Sequence, residues 1–131
     1  MPYLIDTDWA IDYLAGVPES QDLLDHLVDE GIAISIVTFM EIYQGVLRTP
    51  DPLRTEEQVA AFLESVPVVP FSVAVARRCA RLRESLRREG KRIHARALDL
   101  LVAATALEHD LTLVSRNSDD YRDISDLRLY P

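Results

Sequence analysis

The sequence predicts an α/β fold, a sheet of short, mostly parallel strands with helices on both faces. Two observations carry this. Short, mainly apolar runs recur along the chain, at Tyr3-Leu4-Ile5, Ile32 to Ile36 and Leu111 to Val114, as in strands covered on both faces. Segments with helical periodicity separate them, which makes parallel pairing with crossover helices the natural topology.

Tyr3-Leu4-Ile5 reads as a buried strand ending at Asp6, and Asp8 as the cap of a short helix from Trp9 to Leu14. Gly16-Val17-Pro18 marks a turn. Glu19 to Glu30 is helical, with Leu23, Leu24, Leu27 and Val28 on one side, and Gly31 closes it. Ile32 to Ile36 is the second strand. Thr38 with Glu41 three residues later has capping-box spacing and opens a helix to about Arg48. Pro50-Asp51-Pro52 breaks that helix, and Thr55 to Ser65 forms another. Val66 to Phe71 is interrupted by proline and suits a sheet edge. Ser72 opens a long helix to about Arg88, with Val75, Cys79, Leu82 and Leu86 as its apolar stripe and Gly90 beyond its end. Ala95 to His109 is an alanine-rich helix, Leu111 to Val114 a strand, Ser115 to Tyr121 a polar turn, and Leu127 to Leu129 a last edge strand.

The chain has 131 residues, 48% hydrophobic and 27% charged, a composition suited to one compact domain over residues 1–131. No apolar run approaches the ~20 residues of a membrane span. The opening Met1-Pro2-Tyr3-Leu4-Ile5-Asp6 lacks the basic n-region of a signal peptide, and Cys79 is the one cysteine. The expectation is a cytoplasmic protein without a disulfide.

Net charge is −8, yet residues 77–96 hold nine of the 14 bases against two acids, Glu84 and Glu89. A basic stripe on an acidic body can follow a phosphate backbone in spite of the total. It is also what a solvated helix face looks like.

The acids carry the chemistry. Asp6, Glu41, Asp99 and Asp120 each stand where a predicted strand or helix begins or ends, and each has apolar neighbours. Asp99 is embedded in Ala97-Leu98-Asp99-Leu100-Leu101-Val102-Ala103-Ala104, where an unpaired ionised carboxylate costs several kcal/mol. In parallel sheets, sites form beyond the carboxyl ends of the strands. Asp6 follows the first strand, Glu41 lies early in the helix after the second, and Ser115 to Asp120 follows a later one. Convergence of these segments would make a site for a divalent cation. Each residue also has a plain structural role open to it: Asp6 as a cap, Glu41 in a capping box, Asp99 paired with Arg96, and the last segment as a polar turn. His26, His94 and His109 lack zinc-ligand spacing, and there is no Gly-rich phosphate loop.

The ordered set Leu4-Ile5-Asp6-Thr7-Asp8, Ile34 to Thr38 running into Met40-Glu41-Ile42 and Gly45, Asp99 to Ala104, and Leu113 to Asn117 leading to Asp120-Tyr121 resembles the PIN-domain nucleases. Within that family it resembles the small toxin ribonucleases of bacterial VapBC toxin–antitoxin pairs. The resemblance implies a three-layer α/β/α fold and metal-dependent hydrolysis of RNA phosphodiesters. It implies that Asp6, Glu41 and Asp99 hold Mg²⁺ or Mn²⁺, with Thr7 and Thr38 as buttresses. The fourth acidic position falls on Asp120 or Asn117, with Asp119 adjacent; Asp120 is preferred, and Asn117 is a second contact. A VapB-type antitoxin, a homodimer and an RNA substrate are the implied partners, with no membrane.

Arg81, Arg87, Arg88 and Arg96 are candidate RNA contacts, and His94 and Arg96 lie where substrate or partner can reach. Tyr43, Val46, Leu47 and Phe62 are candidates for the antitoxin groove, or else core. Two other functions fit less well: a PIN nuclease of RNA processing, and a phosphoacceptor receiver-type domain. The receiver wants a lysine late in the chain, and the one lysine is Lys91, in the basic segment.

Overall fold

The computed structural model describes residues 2–131. Strand β1 (Tyr3–Ile5) leads to α1 (Thr7–Leu14) and α2 (Pro18–Leu27), then β2 (Ile32–Ser35), α3 (Ile36–Arg48) and α4 (Pro52–Leu63). Strand β3 (Val68–Val69) precedes α5 (Val73–Arg88) and α6 (Ala97–Glu108), and β4 (Thr112–Val114) is the last strand. Short 3₁₀ turns cover Val28–Glu30, His94–Arg96 and Ser118–Tyr121.

The strands form one parallel sheet in the order β3-β2-β1-β4. Successive strand residues point to opposite faces, and this divides the core in two. Leu4, Ala33, Val69 and Leu113 face α5 and α6 with Val75, Cys79, Leu86 and Leu100. Ile5, Ile32, Ile34 and Val114 face the other way, into a cluster with Ala10, Leu24, Ile42, Val46 and Phe62 from α1 to α4. The expected three-layer α/β/α arrangement is present. Among the described residues no helix is long and apolar enough to cross a membrane.

The chain order reverses at the middle of this sheet. From β1 it proceeds outward through β2 to β3, and it then returns to place β4 on the other side of β1. The carboxyl ends of β1 and β4 therefore flank a topological switch point, where open α/β sheets leave a crevice. Asp6 sits there, its N–H donating to the Val114 carbonyl at 2.9 Å.

Several local expectations are corrected. Of the two cap candidates for α1, Asp6 takes the role and Asp8 does not, because the Asp6 Oδ1 accepts the Thr7 N–H at 2.9 Å. Ser35, not Thr38, caps α3; its hydroxyl accepts the Thr38 N–H, so the helix starts earlier and no capping box forms. Pro52 opens α4 at its first turn, where proline lacks nothing the helix needs, and Asp51 caps it. Leu127 to Leu129 forms no strand, only a single bridge between Leu113 and Leu129. The proline-interrupted segment keeps two strand residues at the sheet edge.

Candidate active site

Asp6, Glu41 and Asp99 line one cleft of roughly 290 Å³, together with Val37, Val102 and His94. Each arrives by a different route. Asp6 ends β1 and caps α1. Glu41 is in the second turn of α3, on the same side as buried Val37 and Thr38. Asp99 lies in the first turn of α6. All three are half-buried.

Each carboxylate is held on its inner side. Thr7 Oγ1 donates to Glu41 Oε1 at 2.7 Å. A hydroxyl has one proton, so the 3.0 Å contact between Thr7 and Thr38 hydroxyls must run from Thr38 to Thr7. Ser35 Oγ in turn donates to Thr38 Oγ1 at 3.4 Å. The result is a directed relay, Ser35 to Thr38 to Thr7 to Glu41, and Ser35 and Thr38 are fully buried. Asp6 Oδ2 accepts from Ser115 Oγ at 2.8 Å and from Tyr121 Oη at 3.3 Å. Asp99 Oδ1 takes the same Tyr121 hydroxyl at 3.3 Å.

The other oxygens are free. Among the described residues, Glu41 Oε2 and Asp99 Oδ2 accept no hydrogen bond. Burial and the neighbouring Asp6 charge, reinforced by Asp120, raise the Asp99 pKa, against the pull of the Tyr121 hydrogen bond and of Arg96. The cleft therefore holds more negative charge than its own groups compensate.

The segment after β4 divides its work. Asn117 Nδ2 donates to Asp8 Oδ2 at 3.2 Å, so its amide faces Asp8. Asp119 is exposed and pairs with Arg122 at 3.0 Å. Asp120 is exposed too, but its charge reaches both Asp99 and Arg96. Arg96 grips Asp123 with two bonds of 2.8 Å and the Asp120 carbonyl at 2.7 Å. Its guanidinium is thus occupied in fastening this turn to the start of α6. Arg116 lies over the Trp9 ring, 3.8 Å from its centroid, and pairs with Asp12 at 3.0 Å.

The basic helix runs antiparallel to α6, since Arg78 pairs with Glu108 at 3.2 Å. Its carboxyl end with Arg87 and Arg88 therefore lies toward the Asp99 end of α6. Arg87 and Arg88 both bind Glu84, and Arg87 chiefly holds that carboxyl down to about 2. Arg81 is exposed and makes no ion pair among the described residues. On the opposite side, Val46 and Phe62 are core, while Tyr43 and Leu47 are exposed.

The sequence reading missed Tyr121 and Ser115 as neighbours of the acids. The one signal was an aromatic residue ending a polar turn, where nothing else called for a large ring.

The donor set suits a hard divalent cation: half-buried carboxylates with free oxygens and no thiolate or imidazole cluster. Among the described residues no three acidic, histidine or cysteine side chains are drawn together as a finished chelate. Mg²⁺ does not need one, because it keeps several waters and takes only one or two carboxylates directly.

Residues 3–127 match the family model described as the PIN domain. The chain is 24% identical over 128 residues to the tRNA(fMet)-specific endonuclease VapC of Shigella flexneri, covering 98% of this chain and 96% of that protein. It is 28% identical over 131 residues to ribonuclease VapC2 of Rickettsia felis, with the same coverage. Among solved structures it is similar to VapBC2 from Rickettsia felis bound to a promoter DNA fragment, with TM-score 0.86, 26% identity and 99% and 98% of the two chains covered. It is likewise similar to FitAcB from Neisseria gonorrhoeae, with TM-score 0.84, 26% identity and 98% and 96% covered. With the match running from β1 to beyond the turn that carries Asp120, the chain belongs to the PIN domain family.

Proposed function

We propose that this protein is a single-domain endoribonuclease, the toxin of a VapBC-type pair, and that it hydrolyses RNA phosphodiesters at the cleft of Asp6, Glu41 and Asp99 with Mg²⁺ or Mn²⁺. The observation that carries the reading is the meeting of these three acids at the switch point of the sheet. The two VapC relatives, ribonucleases by name, support the class of reaction.

When bound, a divalent cation acidifies water and neutralises charge that builds on a scissile phosphate. Asp6, Glu41 and Asp99 would hold it, with Asp120 at the rim. Glu41, a lining residue of the cleft, is fixed through Oε1 by the hydroxyl relay, which leaves Oε2 for a ligand. Asp6 is fixed by Thr7, Ser115 and Tyr121. Asp99 is held through Oδ1 by the Tyr121 hydroxyl, which leaves Oδ2 for the cation, and a carboxylate of this cluster would help take the proton of the attacking water. The acids alone would repel RNA. The α5 arginines supply the attraction, gripping phosphates beside the cut.

A VapB-type antitoxin is the proposed partner; solved relatives of this fold include VapBC complexes. A homodimer and a cytoplasmic location complete the reading. A PIN nuclease of RNA processing would use the same cleft, and an antitoxin gene beside this one distinguishes the two. The direct test is chelation. EDTA should stop RNA cleavage, and added Mg²⁺ or Mn²⁺ should restore it; cleavage indifferent to EDTA would end the metal-dependent reading.

A further inference from the structure

Tyr121 is 1% exposed and packs in the α5–α6 core cluster, near Leu100, Ile124 and Leu127. A phenylalanine would fill that space equally well. The hydroxyl is what differs, and its two partners are Asp6 Oδ2 and Asp99 Oδ1, each at 3.3 Å. A phenol offers one proton and cannot satisfy two carboxylates fully. It stands between two like charges brought together from distant parts of the chain.

We propose that Tyr121 is a positioning residue whose hydroxyl sets the spacing and tilt of Asp6 and Asp99 for a divalent cation. This rests on the metal reading above. The argument is geometric. The hydroxyl approaches from the core side and occupies one oxygen of each carboxylate. Asp99 Oδ2 is left without a donor and free for the cation. Asp6 keeps a second donor to the same oxygen, Ser115 Oγ at 2.8 Å, whereas Asp99 has Tyr121 alone. Asp99 should therefore loosen most when the hydroxyl is lost. Outer-sphere partners of this kind govern ligand orientation, and removing one typically weakens metal binding about 10–100-fold.

The test is calorimetric titration of Mn²⁺ into the wild type, Tyr121→Phe and Asp6→Asn, each checked for folding by circular dichroism. The expected result is Mn²⁺ binding by the wild type, little or none by Asp6→Asn, and a dissociation constant raised about tenfold or more in Tyr121→Phe. A Tyr121→Phe constant within twofold of the wild type, beside a failed Asp6→Asn, would overturn the positioning role and leave the metal site standing. A wild type that takes no Mn²⁺ would overturn both. If the phenylalanine variant does not fold, wild-type protein labelled with ¹³Cζ-tyrosine carries the test. Of its five tyrosines, one buried resonance should move on adding Mg²⁺, and not in Asp6→Asn; five unmoved resonances would contradict the proposal.

Discussion

Thr7 Oγ1 donates to Glu41 Oε1 at 2.7 Å, joining the first turn of α1 to α3 across 34 residues of sequence. The bond fixes one oxygen of the glutamate and commits the Thr7 proton, so Thr38 must donate to Thr7. Thr7→Val removes both functions at little change in volume. Turnover of RNA should fall about 10–100-fold, as for other outer-sphere losses. Stability should drop by about 1–3 kcal/mol, because the buried Thr38 hydroxyl loses its acceptor. Thr7→Ser should keep most of both. Single-turnover cleavage and urea melting read the two effects, and equal activity in Thr7→Val and wild type would remove the relay from the account.

The pair Arg96–Asp123 ties the Asp120 turn to the start of α6, and both side chains are largely covered. The Arg96 hydrogen bonds hold the Asp123 pKa below its ordinary value. A depressed folded pKa means that the stabilisation is present above the unfolded value, ~3.9, and is lost as pH falls through the folded one. Asp123→Asn should therefore cost about 1–3 kcal/mol near neutral pH. The difference from wild type should shrink as the solution is acidified below the ordinary aspartate range. Thermal melts across pH measure it, and a gap that does not change with pH would mean that Asp123 acts through shape alone.

Repulsion among the acids predicts a gain as well as a loss. Without metal, Asp99→Asn should melt higher than the wild type in EDTA, since burial and the Asp6 charge both oppose an ionised Asp99. Saturating Mg²⁺ should stabilise the wild type and do little for the variant. Differential scanning calorimetry with and without metal is the measurement; a variant that melts lower in EDTA would show Asp99 to be a stabilising partner.

The arginines of α5 are unequal. Arg87 and Arg88 share Glu84, and Arg81 is exposed without an acid. Arg81→Ala, Arg87→Ala and Arg88→Ala combined should weaken RNA binding and flatten its salt dependence, each lost phosphate contact reducing the slope by roughly 0.7 for a single strand. Filter binding over a range of salt tests this. An unchanged slope would assign the stripe to another partner.

Much of this is legible in the sequence because the strands are mainly apolar and the helices between them are periodic. Asp6, Glu41 and Asp99 could be named because an acid beside apolar residues at an element end needs a reason. The caps are ambiguous in the sequence for a local cause: Asp6 and Asp8, and Ser35 and Thr38, are all good cap residues, and only the three-dimensional bond decides between them. The Leu127 to Leu129 segment has strand composition but a single bridging partner. Tyr121 and Ser115 escaped because their contacts with Asp6 span 115 and 109 residues, and no periodicity announces a tertiary hydrogen bond.

The most direct measurement is RNA cleavage in Mg²⁺ by wild type and by Asp99→Asn shown to be folded. The account predicts a loss of more than about 100-fold, beyond what outer-sphere changes cause. Cleavage by Asp99→Asn at the wild-type rate would contradict it.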